Sequence, residues 1–293
     1  MLKSKLKASF PFLIIIFLVV ICIQFVYQPP AEESIIFFPI NENIEYMSAN
    51  TSLTLEQEKK NNRYEVNWIT SSQLESSAYL RQDIGFLFSN GKLKAKMNEW
   101  QQGTDTIEEE MTVNGKESSL LQAVSFHYSE IHETEDDFTS AQKMTKDTLY
   151  VIDSNFSPLS SFHTPSTPME KEWKILLEEV THQQITYWWE KGIKSSDINS
   201  NEYIKIPLTE LPKYGDKPLN GFTNEEWKKI LGNLWEGLYK NYFNGIKKED
   251  GTITDPLGSS IPLIMVSKEK KEVLVLLITK DGNTSLLKQM IEP

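Results

Sequence analysis

The sequence predicts an α+β protein: an N-terminal transmembrane helix, then an extracytoplasmic domain with an antiparallel β-meander, two long amphipathic helices and a C-terminal β-hairpin. Three observations predict it. An apolar run, Phe10–Val26, stands behind three lysines. From Tyr64 apolar and polar residues alternate with period two, punctuated by Asn-Gly pairs. Beyond Thr167 the period lengthens to that of a helix, twice, each time behind a capping sequence.

The apolar run follows Lys3, Lys5 and Lys7 and is broken only by Pro11 and Gln24. As a helix it spans roughly 25 Å, near the lower limit for crossing a bilayer. Phe10, Leu13, Ile14, Ile15, Ile16, Phe17, Leu18, Val19, Val20, Ile21, Ile23, Phe25 and Val26 supply its membrane-facing surface. Bulky residues fill the positions after the run where a signal peptidase reads small ones. Val19-Val20-Ile21 precede Cys22, so the resemblance to a bacterial lipobox fails at the residue before the cysteine. The run reads as an uncleaved anchor at 10–27, and the lysines keep residues 1–9 in the cytoplasm.

Residues 28–62 read as a stalk, with a short helix over 55–61 behind the capping pair Thr54 and Gln57. The β-rich region covers 63–165. Its clearest hairpin is DIGFLFSNGKLKAKMNEW, where Asn90-Gly91 suits a type I′ turn and Leu93, Ala95 and Met97 face opposite to Lys92, Lys94 and Lys96. The region 166–293 is helical with C-terminal strands. Its first helix starts at Thr167-Pro168-Met169-Glu170 and ends at Gly192, with Met169, Trp173, Leu176, Val180 and Tyr187 along one face. Ile175, His182, Ile185 and Trp189 fall roughly opposite, so one of the two sides is free for a contact outside the core, with Ile175, His182 and Trp189 as its candidates. The second helix runs from Thr223 to Gly245 with one broad apolar stripe. The last two regions can form one domain or two.

The first 30 residues hold three of the 30 basic side chains and none of the 41 acidic ones, so the remainder carries 27 against 41, a net charge of −14. That balance argues against a nucleic-acid partner and against an anionic lipid surface. The single cysteine lies in the apolar run, which leaves the exterior without a disulfide, a thiolate nucleophile or a cysteine metal ligand. In composition the exterior resembles exported proteins of low-GC Gram-positive bacteria.

Chemistry-bearing residues are sparse. His127, His132, Glu133, Glu135, Asp136 and Asp137 lie in HYSEIHETEDD, the densest cluster of titratable groups and the candidate metal ligand set, with Ca²⁺ the cation that suits its oxygens. On a strand, however, His127 and His132 point to opposite faces. Ser140 and Lys143 form an S-x-x-K that resembles penicillin-binding proteins and class A β-lactamases; the K-T-G those families also need is absent. No cofactor motif occurs. The leading expectation is a non-enzymatic, membrane-anchored binding or regulatory protein of the cell envelope, whose partners are the bilayer and another envelope or membrane protein. An envelope hydrolase or transferase using carboxylates or Ser140, and a divalent-cation or ligand-binding module, are the alternatives.

Overall fold

One strand organises the molecule. β2 (Arg63–Ser89) is 27 residues long, and the register with its hairpin partner β3 (Lys92–Gly115) breaks between Gln73 and Ala78. The strand bends there, and its two arms turn their inner sides toward each other. Trp68 on the first arm lies against Gly85 on the second, where a Cβ would sit 2.6 Å from the indole Cζ2. Only a residue without a side chain permits this approach.

The computed structural model describes residues 38–60, 63–134, 137–247 and 251–291, within a compact unit that runs from Ile36 to Pro293. β1 (Tyr46–Lys60) pairs with the first arm of β2, and β4 (Ser119–His132) pairs with the second arm along the same edge. β5 (Phe138–Ser154) and β6 (Ser157–Phe162) continue the sheet antiparallel. The six strands curl into a nearly closed, barrel-like sheet. Its seam lies between β1 and β5, which share no backbone ladder among the described residues. Side chains join them instead: Asp147 Oδ2 accepts from the Leu53 N–H at 2.8 Å, and the Thr51 and Thr145 hydroxyls lie 2.5 Å apart.

The interior is apolar at one end, where Leu53, Val66, Trp68, Leu87, Leu121, Leu149 and Val151 pack together. Outside, β2, β4 and β5 are covered by α2 (Asn224–Leu238). Trp235 of α2 stacks on Phe126 with ring centres 4.9 Å apart and on Phe86 at 5.9 Å, and its indole N–H donates to Met144 Sδ. A second sheet has the order β12 (Thr284–Met290), β11 (Glu272–Ile278), β10 (Leu263–Ser267), β7 (Tyr203–Pro207), all antiparallel. A two-residue pair, β8 (Ile246–Lys247) with β9 (Ile253–Thr254), lies between α2 and β10 in sequence. α1 (Pro168–Ser195) joins the two sheets. It meets the hairpin tip at Gly91, where a Cβ would fall 2.4 Å from Ile185 Cγ2, and its Gly192 meets Leu276 and Ile278 of β11.

The predicted α+β arrangement is therefore overturned: the protein is mostly β. Its meander is a bent, barrel-like sheet, because β2 and β3 run through positions where the alternation weakens. Tyr46–Lys60, expected in a stalk with a short helix, is a strand, since pairing with β2 outweighs a modest capping sequence. Among the described residues only one helix is long; α2 has 15 residues and passes into a single π turn, Tyr239–Phe243. The expected C-terminal hairpin is half of a four-stranded sheet. The Asn90-Gly91 turn has positive φ at both residues, 47° and 79°, as a type I′ turn requires. Both capping boxes, Thr167 with Glu170 and Thr223 with Glu226, are formed. The proposed membrane anchor lies outside the described residues; among those described, no helix is long and apolar enough to cross a membrane.

Replacing Gly85 by Ala forces Trp68 to move and is expected to cost about 1–3 kcal/mol. Urea unfolding of the variant checks this through a lowered midpoint with an unchanged slope.

Candidate functional site

The densest convergence of polar groups lies inside the barrel-like sheet, at the end nearest the bend. Alternation places Thr70, Ser72, Arg81 and Asp83 of β2 and Ser125, His127 and Ser129 of β4 on its inner surface, all buried. All but Ser129 belong to one hydrogen-bonded chain. The Arg81 guanidinium donates to the Asp105 carbonyl and to Ser72 Oγ, each at 2.5 Å, and lies 5.3 Å from the Tyr46 ring centre. Ser72 donates to Asp83 Oδ1 at 3.0 Å. Asp83 Oδ2 lies 2.7 Å from His127 Nδ1, and His127 Nε2 lies 2.8 Å from Thr145 Oγ1. Thr145 contacts Thr51, which donates to Ser125 at 2.7 Å. Tyr46 closes the set through Ser129 Oγ at 2.7 Å, and its burial beside Asp83 raises its hydroxyl well above the usual phenol range.

Thr145, His127 and Asp83 have the connectivity of a hydroxyl–imidazole–carboxylate triad. Their surroundings are those of a structural core. His127 and Asp83 are shut off from solvent, the partly buried Thr145 hydroxyl is engaged by Thr51 and His127, and four cavities among the described residues are lined by none of the three. A nucleophile needs a site where a reacting atom can sit within about 3 Å of it. The chain links the buried Arg81 to Asp83 through the Ser72 hydroxyl, while Arg81 Nε is buried without a hydrogen-bond partner.

Glu109 of β3 stands beside this network. Burial, then the nearby carboxylates of Glu99 and Asp83, push its carboxyl up to about 7 against the lowering effect of the Asn98 N–H. Its Oε2 is buried with no hydrogen-bond partner.

The residues singled out in the sequence are dispersed. His127 belongs to the buried network. His132, five residues on, faces the other way: it stacks on Tyr79 with ring centres 3.7 Å apart and bonds to Glu130. Glu133 is exposed and accepts from Asn41 at 2.6 Å. Asp137 is exposed, and Glu135 and Asp136 lie outside the described residues. No group of three metal-ligating side chains forms among the described residues. Ser140 is buried and donates to the Phe38 carbonyl at 2.7 Å, while Lys143 pairs with Asp216 at 2.7 Å. S-x-x-K brings its two residues together on a helix; here it lies on a strand, and three residues along a strand the side chains point apart.

Two adjoining cavities of about 360 and 560 Å³ share Ile40, Glu42, Gln142 and Lys228, between the segment 38–46, β5 and α2. Their charges are mixed, and Gln142 crosses between them to donate to the Lys228 carbonyl at 2.8 Å.

On α1 the two apolar faces exchange roles. The buried line is Leu177, Thr181, Ile185, Trp189 and Gly192, where small residues allow close approach to Gly91 and β11. Trp189 is thus part of the fold, with its indole N–H donating to the Ile261 carbonyl at 2.8 Å. Ile175, 56% exposed, and His182 remain at the surface. The stripe expected in the core is largely outside: Met169, Leu176, Val180 and Tyr187 are 49%, 49%, 54% and 61% exposed.

The buried network, with Asp83, Arg81 and Glu109, was missed in the sequence. A signal was present. Thr51, Thr70, Ser72, Ser125 and Ser129 are polar residues at the inward positions of their strands, a pattern that announces a polar interior. Comparison with protein-family models, with curated proteins and with solved structures returns no match.

Two outcomes follow from the network. Asp83→Ala leaves the buried His127 and Ser72 without their carboxylate partner and is expected to cost about 3–5 kcal/mol in chemical denaturation. Glu109 holds its proton more tightly folded than unfolded, so its contribution is full below about pH 4.3, the unfolded value, and is lost as pH rises toward its folded value of about 7. Glu109→Gln is expected to flatten the fall in melting temperature between pH 5 and 8.

Proposed function

We propose that the protein is a non-enzymatic binding or regulatory protein of the cell envelope, held at the membrane by Phe10–Val26, with α1 as the surface that meets another envelope or membrane protein. One observation carries the reading: four apolar side chains recur along α1 at intervals of seven, four and seven residues, each about half exposed. Isolated exposed apolar residues are ordinary, but a row of them on one helix face marks a contact surface. Glu172, Glu179 and Glu190, all exposed, flank the row on one side. The partner that fits is an apolar helix or groove with basic residues along one edge. The acid flank disfavours an anionic lipid surface. The buried network supports the non-enzymatic part of the reading, since its imidazole and carboxylate are engaged by each other, by Thr145 and by Ser72.

A photo-crosslinking residue at Val180 of the full-length chain, activated in its own membranes, is expected to give one protein adduct. A second probe at Lys247 should not. Leu176→Glu with Tyr187→Glu is expected to reduce the adduct at least tenfold, while both positions, being exposed, leave the melting temperature within a few degrees. Adducts with lipid alone, or an adduct indifferent to the two substitutions, would remove the reading.

A further inference from the structure

The space between the two arms of the β2–β3 ribbon is closed by the bend at one end and open at the other. At the open end lies a cavity of about 370 Å³. Its apolar walls are Val66 and Leu121, both buried, and Val113, which packs on the same cluster. Its rim carries Arg63, Lys94 and Lys116.

The charge of this rim runs against the rest of the chain. Acidic residues outnumber basic ones 41 to 30, yet the lining has three cations against one carboxylate, Glu117. A second carboxylate, Asp153, is close enough to act with Glu117 on the Tyr64 hydroxyl, which burial raises above its ordinary value. Among the described residues, none of the three cations enters an ion pair. Lys94 reaches the cavity through a break in the ladder. Leu87 pairs with Ala95 and Phe88 with Leu93, so Lys94 is the extra residue of a bulge. A bulge interrupts the alternation and re-aims the side chain it carries. Lys96, two positions on in regular register, bonds instead to the Phe243 carbonyl on the outer side.

We infer that this mouth binds a small amphipathic carboxylate. Its aliphatic body lies against Val66, Val113 and Leu121, and its head sits among Arg63, Lys94 and Lys116. The open end of a barrel is a recurrent ligand position, and cavities for small ligands measure roughly 300–1,000 Å³. The planar Arg63 fork matches a carboxylate with two parallel hydrogen bonds. The volume suits a single short chain and excludes a two-chain lipid. This site is separate from the α1 surface and stands or falls without it.

Lysine footprinting of the purified full-length chain tests the inference. Acetylation with an N-hydroxysuccinimide ester is read lysine by lysine by mass spectrometry, with octanoate as the probe. At a few times its dissociation constant octanoate is expected to slow modification of Lys94 and Lys116 about fivefold. Lys205 and Lys247, exposed elsewhere, should be unaffected and report that the fold is intact. Each methylene buried raises affinity about fourfold, so butanoate is expected to protect at least ten times more weakly. Octanol, without the charged head, should not protect. Arg63→Gln, at an exposed position, is expected to weaken protection by octanoate about tenfold. Equal modification with and without octanoate, equal protection by octanol, or protection unchanged in Arg63→Gln overturns the inference.

Discussion

The fold depends on the contact between Trp68 and Gly85, two residues of one strand brought face to face by the bend in β2. Because the arms belong to the same strand, the inner side of the first becomes one wall of the interior and the inner side of the second becomes another. β1 and β4 can then share an edge of β2 without competing for it, since each takes a different arm. Without the bend, β2 would be a strand of 27 residues in a flat sheet, far beyond the usual length, with one face open to water.

The bend also sets the polarity of the interior. Trp68 fills the middle, with the apolar cluster on one side and the Arg81–Asp83–His127 network on the other. A buried arginine is costly unless its charge and donors are met; here the Asp105 carbonyl and Ser72 accept from the guanidinium, and Ser72 passes the contact on to Asp83. The outer surface follows a different rule. α2 and its tryptophans give β4 a second, aromatic core, so the sheet is apolar on both faces along Ala123–Phe126 apart from Ser125. Sheets with both faces covered lose the clean alternation on which sequence reading relies.

That loss explains what was and was not legible. The hairpin at Asn90-Gly91 and the caps at Thr167 and Thr223 were readable because each is a local device, complete within four residues. The strand Tyr46–Lys60 was not, because its pairing partner, and not its own pattern, decides its conformation. On α1 the period was right and the face was wrong. Met169, Leu176, Val180 and Tyr187 form the more apolar row, yet the side that packs is the one with Thr181 and Gly192, chosen by how closely Gly91 and β11 can approach. Hydrophobicity marks the rows that can be buried; steric fit selects between them. At the polar interior, His127 was visible as a candidate, but Asp83 comes from a different strand and meets it because the β2–β4 pairing sets the two residues opposite each other.

The seam between β1 and β5 carries a consequence for the order in which the chain can assemble. Its two sides are far apart in sequence: Thr51 meets Thr145 and Leu53 meets Asp147, each pair separated by 94 positions. The hairpins β1–β2, β2–β3 and β4–β5 can each form from neighbouring residues as the chain lengthens. The enclosure cannot, since Asp147 must have been synthesised before Leu53 has its partner. Until then the inner surfaces of β1 and β2 face solvent, and the free edge of β1 offers unpaired N–H groups to any extended segment nearby. For a chain made from the N-terminus, the first strand laid down is the last to be sealed.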